Sequence, residues 1–417
     1  MQQLLFVCPT HRDLREIRKT GLDRRHHVTF HGEDASEHLD NFDPLAYIEE
    51  VLKICRRQKV DGIISTDDYP GSIIASLLAR ELGLSSPKPE KILLCQHKYY
   101  CRKAQEKLVP EATPRFFWID PKERDSSVPK LPFPFFVKPA KSFFSILAEP
   151  VSNPADLERQ IELADSHLSS FVRPFNQLLK KYTDFSLPAN GLIAEEILEG
   201  DQVTIEGFVF ESKAMIIGIV DSVMYPGTRC FRRFDYPSQL GRHVQERMGE
   251  IAQRFIEGIG FDNGIFNIEM MYNSKKDSIH IIEVNPRLCS QFADLMEKVH
   301  GTNTYEIQIA LALGKKPRFQ RDRGKFRVAS SFVLRTFEDE TVHRLPSPEE
   351  IASLEEKFPE IRVEIFGRIG HRLSEELQDG KSYRYGLINL GGDTEKELAE
   401  KFLTCQEGLR FLWTRRK

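Results

Sequence analysis

The sequence has few cysteines and places no two of them in a C-x-x-C pair. Seven cysteines are scattered over 417 residues. An odd and dispersed set is typical of reduced thiols, and it argues against a disulfide framework and against a zinc site. We therefore expect a cytoplasmic protein. The opening MQQLLFVCPT lacks the basic region of a signal peptide and is predicted to be a first strand.

The sequence also lacks an excess of charge of either sign and a long apolar run. The 62 acidic and 59 basic residues give a net charge of −3, so neither nucleic acid nor an anionic membrane is an expected partner. No apolar run approaches the length of a membrane span. With 40% hydrophobic and 29% charged residues, the composition is that of a globular enzyme of two or three packed units.

A dinucleotide-binding motif, G-x-G-x-x-G, is missing after the first strand, although residues 1–90 have the pattern of an α/β domain. Strands alternating with helices imply a parallel sheet. The predicted strands are Leu4–Cys8, His27–His31 and Gly62–Ser65, and the predicted helices are Pro44–Gln58 and Gly71–Leu82. Asp67 and Asp68 follow the third strand at the end where such sheets bind ligands, and they are equally well explained as helix caps.

A β-hairpin is predicted within the segment FDNGIFNIEMMYNSKKDSIHIIEVNPR, residues 261–287. Its strands, Gly264–Tyr272 and Ile279–Asn285, are rich in β-branched and aromatic residues and flank a polar turn. If the turn is symmetric, the alternation of side chains gives the hairpin one apolar face. That face is formed by Ile268, Met270, Ile282 and Val284.

The other face of this hairpin is predicted to hold a divalent cation. A symmetric turn places Glu269 opposite Glu283 and Asn267 opposite Asn285. Two opposed carboxylates repel each other, whereas carboxylate and amide oxygens are ligands that Mg²⁺ accepts. Arg287 follows within reach of whatever the metal holds. A solvated acidic face is the alternative, and the apolar opposite face and the adjacent arginine disfavour it.

This segment resembles the metal-binding end of the ATP-grasp superfamily, whose pattern is an acid on one strand and E-x-N-P-R on the next. Within that family the chain looks most like carboxylate–amine (amino-acid) ligases. The resemblance covers roughly residues 91–313. It implies an ATP-grasp fold there, with an α/β preATP-grasp domain at 1–90 and an α+β lobe at 314–417. It also implies ATP and Mg²⁺ (or Mn²⁺) as cofactors, with metal at Glu269, Glu283 and Asn285 and a catalytic Arg287.

Two lysines stand at phosphate-binding positions of the same family. The segment CQHKYYCRKAQEKL resembles the D-K-x-x-x-(K/R) helix, which implies that Lys98 contacts phosphate, with His97 in place of the usual Asp. Lys138 lies in the apolar strand PFPFFVKPA and is expected to be buried. A buried lysine needs an anion to offset its desolvation, and nucleotide phosphates would supply it.

Glycines are scarce in the segment that follows this strand, KPAKSFFSILA, residues 138–148, which we call the flap. Related ligases have a glycine-rich flap that closes over the phosphates. Here Ser142, Phe144 and Leu147 stand at glycine positions, and Ser145 alone keeps its place as a nucleotide contact. Backbone amides cradle phosphate without glycine only where φ is negative. Either Lys141 and the serine hydroxyls compensate, or closure of the flap is altered.

A strand, a connector and a second strand are predicted from GLIAEEILEGDQVTIEGFVF, residues 191–210. The resemblance makes the connector a hinge whose backbone hydrogen-bonds adenine. Its residues are Glu195, Glu196, Ile197 and Leu198. Gln202 stands where the family places a ribose-binding Glu, and it can still hydrogen-bond a diol without charge assistance. Glu206 lies on the same side of this strand as Gln202, and an exposed carboxylate is the simpler expectation for it.

Two other segments are less informative. Residues 151–190 form an insert of unknown role, in which a helix is predicted over Pro154–Ser166. MYPGTRCFRRFDYPSQL is predicted to be a loop because its residues show no periodicity. Its basic residues either hold a substrate carboxylate or phosphate or are solvated. They are Arg229, Arg232 and Arg233.

Five motifs occur in the family's order, and together they make an ATP-dependent carboxylate–amine ligase the leading hypothesis. They are Lys98, Lys138, the connector Glu195–Leu198, Glu269, and the E-x-N-P-R segment from Glu283 to Arg287. Such an enzyme joins small-molecule carboxylate and amine substrates through an acyl phosphate and releases ADP and phosphate. Whether the chain forms a homodimer is left open. Bicarbonate activation of the carboxylase or purine-biosynthesis type is an alternative, which the lack of a biotin-carrier segment disfavours. A nucleotide-binding regulatory protein is a third hypothesis. The glycine-poor flap favours it, and the intact set of metal ligands, Glu269, Glu283 and Asn285, disfavours it.

Overall fold

The computed structural model describes residues 1–34, 39, 42–122, 130–142, 147–375 and 382–414. The chain divides into two compact units. The first comprises Met1–Ile217, Leu240–Ser290 and Thr304–Arg318, and the second comprises Gly218–Gln239, Gln291–Asn303 and Phe319–Lys417. The predicted domain boundaries near residues 90 and 313 remain predictions. None of the described helices is both long and apolar enough to cross a membrane.

The first unit begins with a three-stranded parallel sheet and its helices. The elements are β1 (Gln3–Val7), α1 (His11–Lys19), α2 (Leu22–Arg25), β2 (His27–His31), α3 (Pro44–Gln58), β3 (Gly62–Ile64) and α4 (Gly71–Glu81). The strand order is β2-β1-β3, which confirms the predicted parallel sheet. Helix α1 was not predicted from the sequence; it begins at a capping box formed by Thr10 and Asp13.

A four-stranded antiparallel sheet follows in the same unit. The elements are α5 (Pro89–Gln96), α6 (Lys98–Leu108), β4 (Phe116–Ile119), β5 (Phe135–Pro139), β6 (Glu149–Val151), α7 (Pro154–Tyr182) and β7 (Leu192–Glu195). The strand order is β4-β7-β5-β6. One face of this sheet packs on α7, and the shared core includes Phe135, Val137, Leu157 and Leu168.

Helix α7 is longer than predicted. It has 29 residues and continues through Pro174, whereas the sequence pattern predicted an end at Ser166. A proline inside a helix removes one backbone hydrogen bond and usually breaks or kinks the helix. Here Pro174, Phe175 and Leu178 are all buried, and packing of this kind offsets the lost hydrogen bond.

The elements beyond residue 200 include the predicted hairpin. They are β8 (Asp201–Phe210), β9 (Lys213–Met224), β10 (Phe231–Tyr236), α8 (Arg242–Gly258), β11 (Gly264–Asn273), β12 (Ser278–Asn285), α9 (Ala293–His300) and α10 (Thr304–Ala312). Within the first unit β11 pairs antiparallel with β12 on one side and with β8 on the other. Strand β11 is therefore an interior strand, and its side chains alternate between a core face and a face that carries polar groups.

The second unit is an antiparallel sheet with three helices among its described residues, and α9 is the first of them. Its further elements are β13 (Val328–Thr336), β14 (Thr341–Arg344), α11 (Pro348–Lys357), β15 (Arg362–Ile365), β16 (Tyr383–Gly392), α12 (Glu395–Gly408) and β17 (Leu412–Thr414). From the end of β9 the strand order is β9-β10-β13-β16-β15, and β14 pairs with β17. Its core includes Phe332, Ile388 and Leu390 of the sheet, with Leu354 and Leu398 of the helices.

The prediction of a loop for MYPGTRCFRRFDYPSQL is wrong in part, because Phe231–Tyr236 forms strand β10. The two prolines of this segment flank the strand instead of interrupting it, which the lack of simple alternation concealed. Arg233 Nε contacts Asp235 Oδ2 at 2.7 Å within the strand, and Arg229 and Arg232 are exposed. A substrate-binding role for these arginines stays a prediction.

Candidate active site

The predicted register of the β11–β12 hairpin is confirmed. Glu269 pairs with Glu283, and Asn267 pairs with Asn285. Four apolar side chains of the hairpin are at most 2% exposed, as expected for its core face. These are Ile268, Met270, Ile281 and Val284. The two carboxylates and two amides therefore share the opposite face.

The hairpin is not symmetric, because one extra residue of β12 forms a β-bulge beside the carboxylate pair. Met270 pairs with Ile281 and not with Ile282, so the predicted place of Ile282 in the apolar face is wrong. A bulged residue leaves the regular ladder of hydrogen bonds. The carbonyl oxygen of Ile282 instead accepts from Arg102 Nη2 at 2.7 Å and from Lys138 Nζ at 3.3 Å. The bulge thus adds a backbone acceptor to the site.

Both predicted phosphate-binding lysines lie at this site and are buried. Lys98 is the first residue of α6, and its Nζ contacts Glu283 Oε1 at 2.9 Å. Lys138 Nζ contacts Glu195 Oε2 at 2.8 Å. In this structure the anion that offsets the desolvation of Lys138 is therefore Glu195. Burial nevertheless lowers the pKa of Lys138 from its usual value.

Arg102 completes this buried cluster. It lies one turn after Lys98 on α6, and its Nε and Nη2 contact the two carboxylate oxygens of Glu195 at 2.8 and 3.3 Å. Burial acts to raise the pKa of Glu195, but Arg102 and Lys138 more than offset it and hold the pKa at about 2. Sequence reasoning did not single out Arg102, although it stands at the (K/R) position of the D-K-x-x-x-(K/R) pattern.

Asp67 and Asp68, whose roles the sequence left open, have different roles. Asp67 accepts hydrogen bonds from the backbone N–H groups of Tyr69 and Gly71, at 3.3 and 2.7 Å, and so caps the start of α4. Asp68 faces the site instead. Its Oδ2 contacts Lys141 Nζ at 2.8 Å, and its Oδ1 contacts Arg287 Nε at 3.2 Å.

Strand β8 contributes two further side chains to the same face. Gln202 Nε2 donates to Glu269 Oε2 at 2.9 Å, which leaves the amide oxygen of Gln202 as an acceptor. Asn267 Nδ2 donates to Glu206 Oε1. Glu206 is fully buried, so the expectation of an exposed carboxylate is wrong; β8 is an interior strand. Burial raises the pKa of Glu206 to about 8.

The oxygen donors of the hairpin fit a hard divalent cation such as Mg²⁺. Burial and the neighbouring Glu283 raise the pKa of Glu269 to about 7, because two close carboxylates resist ionising together. For Glu283 the effect of burial is more than offset by Lys98 and Lys138, and its pKa lies below the usual value. Asn285 Nδ2 donates to Asn267 Oδ1 at 3.2 Å, which leaves the oxygen of Asn285 as its remaining ligand atom. A divalent cation would relieve the repulsion between the carboxylates.

The candidate metal set consists of two carboxylates and one amide. Within the ranges that the structure describes, no group of three or more His, Cys, Asp or Glu side chains forms a metal cluster. The set Glu269, Glu283 and Asn285 therefore supplies three oxygen ligands at most from monodentate binding. Mg²⁺ keeps several non-protein ligands in sites of this kind, including substrate phosphates, so such a set is sufficient.

The connector between β7 and β8 has backbone amides available to a ligand. The N–H of Glu196 donates to the carbonyl oxygen of Arg115 at 3.0 Å. The N–H groups of Ile197 and Leu198 make no hydrogen bond with any part of the chain that the structure describes. The role of the Glu195–Leu198 backbone in binding adenine stays a prediction.

The base of the flap is fastened to α6. The backbone N–H of Lys98 donates to the carbonyl oxygen of Ala140 at 2.9 Å, and Lys98 Nζ donates to that of Ser142 at 3.2 Å. Residues 143–146 lie outside the described residues, so the predicted nucleotide contact of Ser145 stays a prediction. Leu147 has a φ of 55°, in the left-handed region that glycine adopts most readily. The flap thus keeps a glycine-like backbone at a position that lacks glycine.

Comparison in sequence finds known proteins that match the segment carrying this hairpin. Residues 131–296 match the family model of the ATP-grasp domain. The chain is also 23% identical over 289 residues to the C-terminal section of the carbamoyl phosphate synthase large chain of Methanopyrus kandleri. This match covers 68% of the chain and 49% of that relative, so the chain spans about half the length of the curated protein.

Two solved structures share the fold over nearly the whole chain. The L-amino acid ligase of Bacillus licheniformis has a TM-score of 0.78 at 17% identity, over 100% of this chain and 99% of that one. The biotin carboxylase domain dimer of Hydrogenobacter thermophilus 2-oxoglutarate carboxylase, in complex with MgADP, ADP and bicarbonate, has a TM-score of 0.68 at 13% identity, over 99% and 91%. Likeness at these identities concerns the fold, and it confirms the predicted ATP-grasp fold.

Proposed function

We propose, on the premise that residues 131–296 form an ATP-grasp domain, that the chain is an ATP-dependent carboxylate–amine ligase. ATP-grasp ligases use ATP and Mg²⁺. The observation that carries the proposal is the opposed pair Glu269 and Glu283, with Asn285 on the same hairpin face and buried lysines beside it. This arrangement provides oxygen ligands for a metal and cations for phosphates in one place.

ATP solves a specific chemical problem for such an enzyme. A carboxylate and an amine do not form an amide directly in water, because carboxylate oxygen is a poor leaving group. Transfer of the γ-phosphoryl group breaks its P–O bond to ADP and forms a P–O bond to the carboxylate, giving an acyl phosphate. The amine then attacks the acyl carbon, phosphate leaves with the C–O bonding electrons, and the nitrogen loses a proton. The protein's task is mainly positioning and charge neutralisation.

Several cations of the site would together neutralise the negative charge of the nucleotide phosphates. Lys138 is held at one edge of the site by Glu195, so it offers a fixed positive charge. Lys98 would reach phosphate by leaving its contact with Glu283. The side chain of Glu283 is 32% exposed, whereas that of Glu195 is only 6% exposed. Mg²⁺ held by Glu269, Glu283 and Asn285 would neutralise charge on the phosphate oxygens.

Arg287 is the proposed catalytic residue. It follows the metal strand directly, and its planar guanidinium can bridge the incoming carboxylate and the transferred phosphoryl group. Lysine lacks this forked geometry. The connector would bind adenine through the backbone amides of Ile197 and Leu198, and Gln202 would accept a hydrogen bond from a ribose hydroxyl through its amide oxygen.

A phosphate-release screen tests the proposal. Purified protein is incubated with Mg²⁺-ATP and with amino acids and small carboxylates, singly and in pairs, and both nucleotide and phosphate products are measured. The expected result is ADP and phosphate in equal amounts, dependent on a carboxylate and completed by an amine. Formation of AMP and pyrophosphate would mean adenylation and would contradict the proposal.

Bicarbonate activation is a second candidate, favoured by the sequence match to a carbamoyl phosphate synthase section. Bicarbonate is also a small carboxylate-like acid, and its phosphorylation would use the same cations and metal ligands. The same screen separates the two functions when it is run in CO₂-free buffer with and without added bicarbonate. Phosphate release that requires bicarbonate, and no other carboxylate, would favour this second candidate.

A further inference from the structure

The carboxylate of Asp68 joins two cations from distant parts of the chain. Lys141 lies 73 residues away and belongs to the flap, whereas Arg287 lies 219 residues away, directly after the metal strand. The two contacts use different oxygens, at 2.8 and 3.2 Å. Burial acts to raise the pKa of Asp68, but Lys141 and Arg287 more than offset it, so the carboxylate is ionised at neutral pH. One anion is therefore shared by the flap and by the proposed catalytic arginine.

The backbone of Asp68 is fixed, so its side chain starts from a defined position. Its carbonyl oxygen accepts a hydrogen bond from Ser72 Oγ at 2.7 Å and another from Gln96 Nε2. Gln96 is itself 4% exposed and also donates to Ser72 Oγ at 2.9 Å. Helices α4 and α5 thus both hold this residue. A group supported in this way can orient a neighbour more accurately than one on an unsupported loop.

Lys141 is enclosed instead of reaching into the site. It is 2% exposed, and its Nζ lies 5.0 Å from the ring centroid of Tyr69 and 5.8 Å from that of Phe175. Two aromatic faces and the carboxylate of Asp68 therefore surround the ammonium group. Phe175 belongs to α7, within the insert whose role the sequence did not reveal. The insert thus helps to hold the base of the flap.

The contact with Asp68 decides which edge of Arg287 is available. Nε is bound to Asp68, and Nη1 donates to the carbonyl oxygen of Leu288 at 3.4 Å. Nη2 makes no hydrogen bond with the described residues, and the side chain is 20% exposed. Because the guanidinium group is planar, holding Nε also sets the direction of Nη2.

We propose that Asp68 is a positioning residue that holds Arg287 with Nη2 turned towards the reacting groups, and that ties this orientation to the base of the flap through Lys141. The proposal rests on the proposed function for the role of Arg287. If Asp68 loses its charge, the guanidinium is released from its fixed direction while the lysines that bind phosphate keep their own partners. The loss is therefore expected in the chemical step and not in nucleotide binding.

The variant Asp68→Asn tests this, with Asp67→Asn as the matched control. Asn keeps the shape of Asp68 and removes its charge. We expect kcat to fall by ~10- to 100-fold while KM for ATP changes by less than ~3-fold. Asp67 caps α4 and does not face the site, so Asp67→Asn is expected to keep kcat within ~2-fold of the wild type. An unchanged kcat in Asp68→Asn, or an equal fall in both variants, would overturn the proposal.

A double-mutant cycle with Arg287→Lys tests whether Asp68 acts through the arginine. If it does, adding Asp68→Asn to Arg287→Lys lowers kcat by less than ~3-fold, because the arginine that Asp68 orients is already absent. Effects that multiply in the double variant would mean that Asp68 acts independently of Arg287, and would contradict the proposal. Thermal unfolding of all four proteins checks that each one is folded.

A readout without turnover separates this proposal from the proposed function. In protein labelled with ¹⁵N-arginine, the Nε–H resonance that disappears in Arg287→Lys identifies Arg287. We expect this resonance to shift and its proton to exchange faster with water in Asp68→Asn, and to be unchanged in Asp67→Asn. An unaltered resonance in Asp68→Asn overturns the positioning proposal even if turnover is found. Conversely, a shifted resonance supports it even if the substrate screen fails.

Discussion

Each basic side chain proposed to act on phosphate or carboxylate is paired with one acid of the first unit. The pairs are Lys98–Glu283, Lys138–Glu195 and Arg287–Asp68. Breaking a buried ion pair by removing one partner leaves an uncompensated charge, which costs far more than the pair itself contributes. The site can therefore be disabled at single residues in distinct ways, according to whether the lost group binds metal, orients an arginine or supports the fold.

Glu283→Gln is predicted to abolish turnover while the fold is preserved. Glutamine keeps the size of the side chain but removes the charge that a divalent cation requires, so kcat should fall by at least ~10²-fold. The melting temperature should change little, because Glu283 is 32% exposed and its neutralisation relieves the repulsion of Glu269 as well as removing the contact with Lys98. Asp277→Asn in the turn of the same hairpin is the control, since Asp277 contacts Arg247 and is 63% exposed. Full activity in Glu283→Gln would refute the metal assignment.

Arg287→Lys is predicted to act on the chemical step. Lysine keeps the charge but not the planar fork that can bridge two oxyanions, so kcat should drop by ~10²-fold or more. The affinity for ATP should change only modestly, because Lys98 and Lys138 are the proposed phosphate ligands. Steady-state kinetics together with nucleotide titration gives both numbers. A large loss of ATP affinity with unchanged kcat would place Arg287 in nucleotide binding instead.

Asp67→Asn is predicted to change how stability depends on pH. Burial and the charge of Asp34 raise the pKa of Asp67 to about 7. An unfolded aspartate titrates near ~3.9, so the wild type should lose stability as pH rises from that value to the folded pKa. Asparagine does not titrate, so the free energy of unfolding of the variant should rise relative to that of the wild type over this window, by ~4 kcal/mol at most. Urea unfolding at pH 5 and pH 8 measures the gain, and a gain that does not grow with pH would contradict the account.

At the scale of elements, the hairpin was predictable because its alternating pattern sets both the strands and the facing residues. The β-bulge at Ile282 was not, since it shifts the register by one residue without any sequence signal of its own. Similarly, α7 was predicted to end at Ser166, and the sequence pattern does not show that tertiary packing continues the helix through Pro174 to Tyr182. Arg102 and the partner of Arg287 were missed because contacts between distant segments are set by the fold and not by local pattern.

The flap carries a prediction of its own at Leu147. A left-handed φ costs a residue with a side chain ~1–2 kcal/mol relative to glycine. Leu147 also packs against the core between α7 and its sheet, so both Leu147→Gly and Leu147→Ala lose packing, but only glycine relieves the strain. We expect the glycine variant to be the more stable of the two by ~1 kcal/mol, the reverse of the usual order. Chemical denaturation of both variants measures this difference, and a more stable alanine variant would contradict it.

At the scale of the whole molecule, the ATP-grasp fold extends beyond the segment that its sequence model recognises. The model matches residues 131–296, whereas the fold is shared with an L-amino acid ligase over the entire chain at 17% identity. Lys98, Arg102 and Asp68 all precede the matched segment, yet they complete the site. A fold retained at such identity leaves substrate identity to individual side chains, which is why the sequence predicts the reaction class and not the substrates.

The most direct test of the central claim follows an oxygen atom. With a carboxylate substrate labelled with ¹⁸O, an acyl-phosphate mechanism transfers one carboxylate oxygen to the released phosphate, because phosphate leaves with the oxygen to which it was attached. Mass spectrometry of the phosphate formed with Mg²⁺-ATP and an amine should therefore show one ¹⁸O per turnover, alongside ADP. Phosphate without label, or label recovered in AMP, would contradict the proposed ligase mechanism.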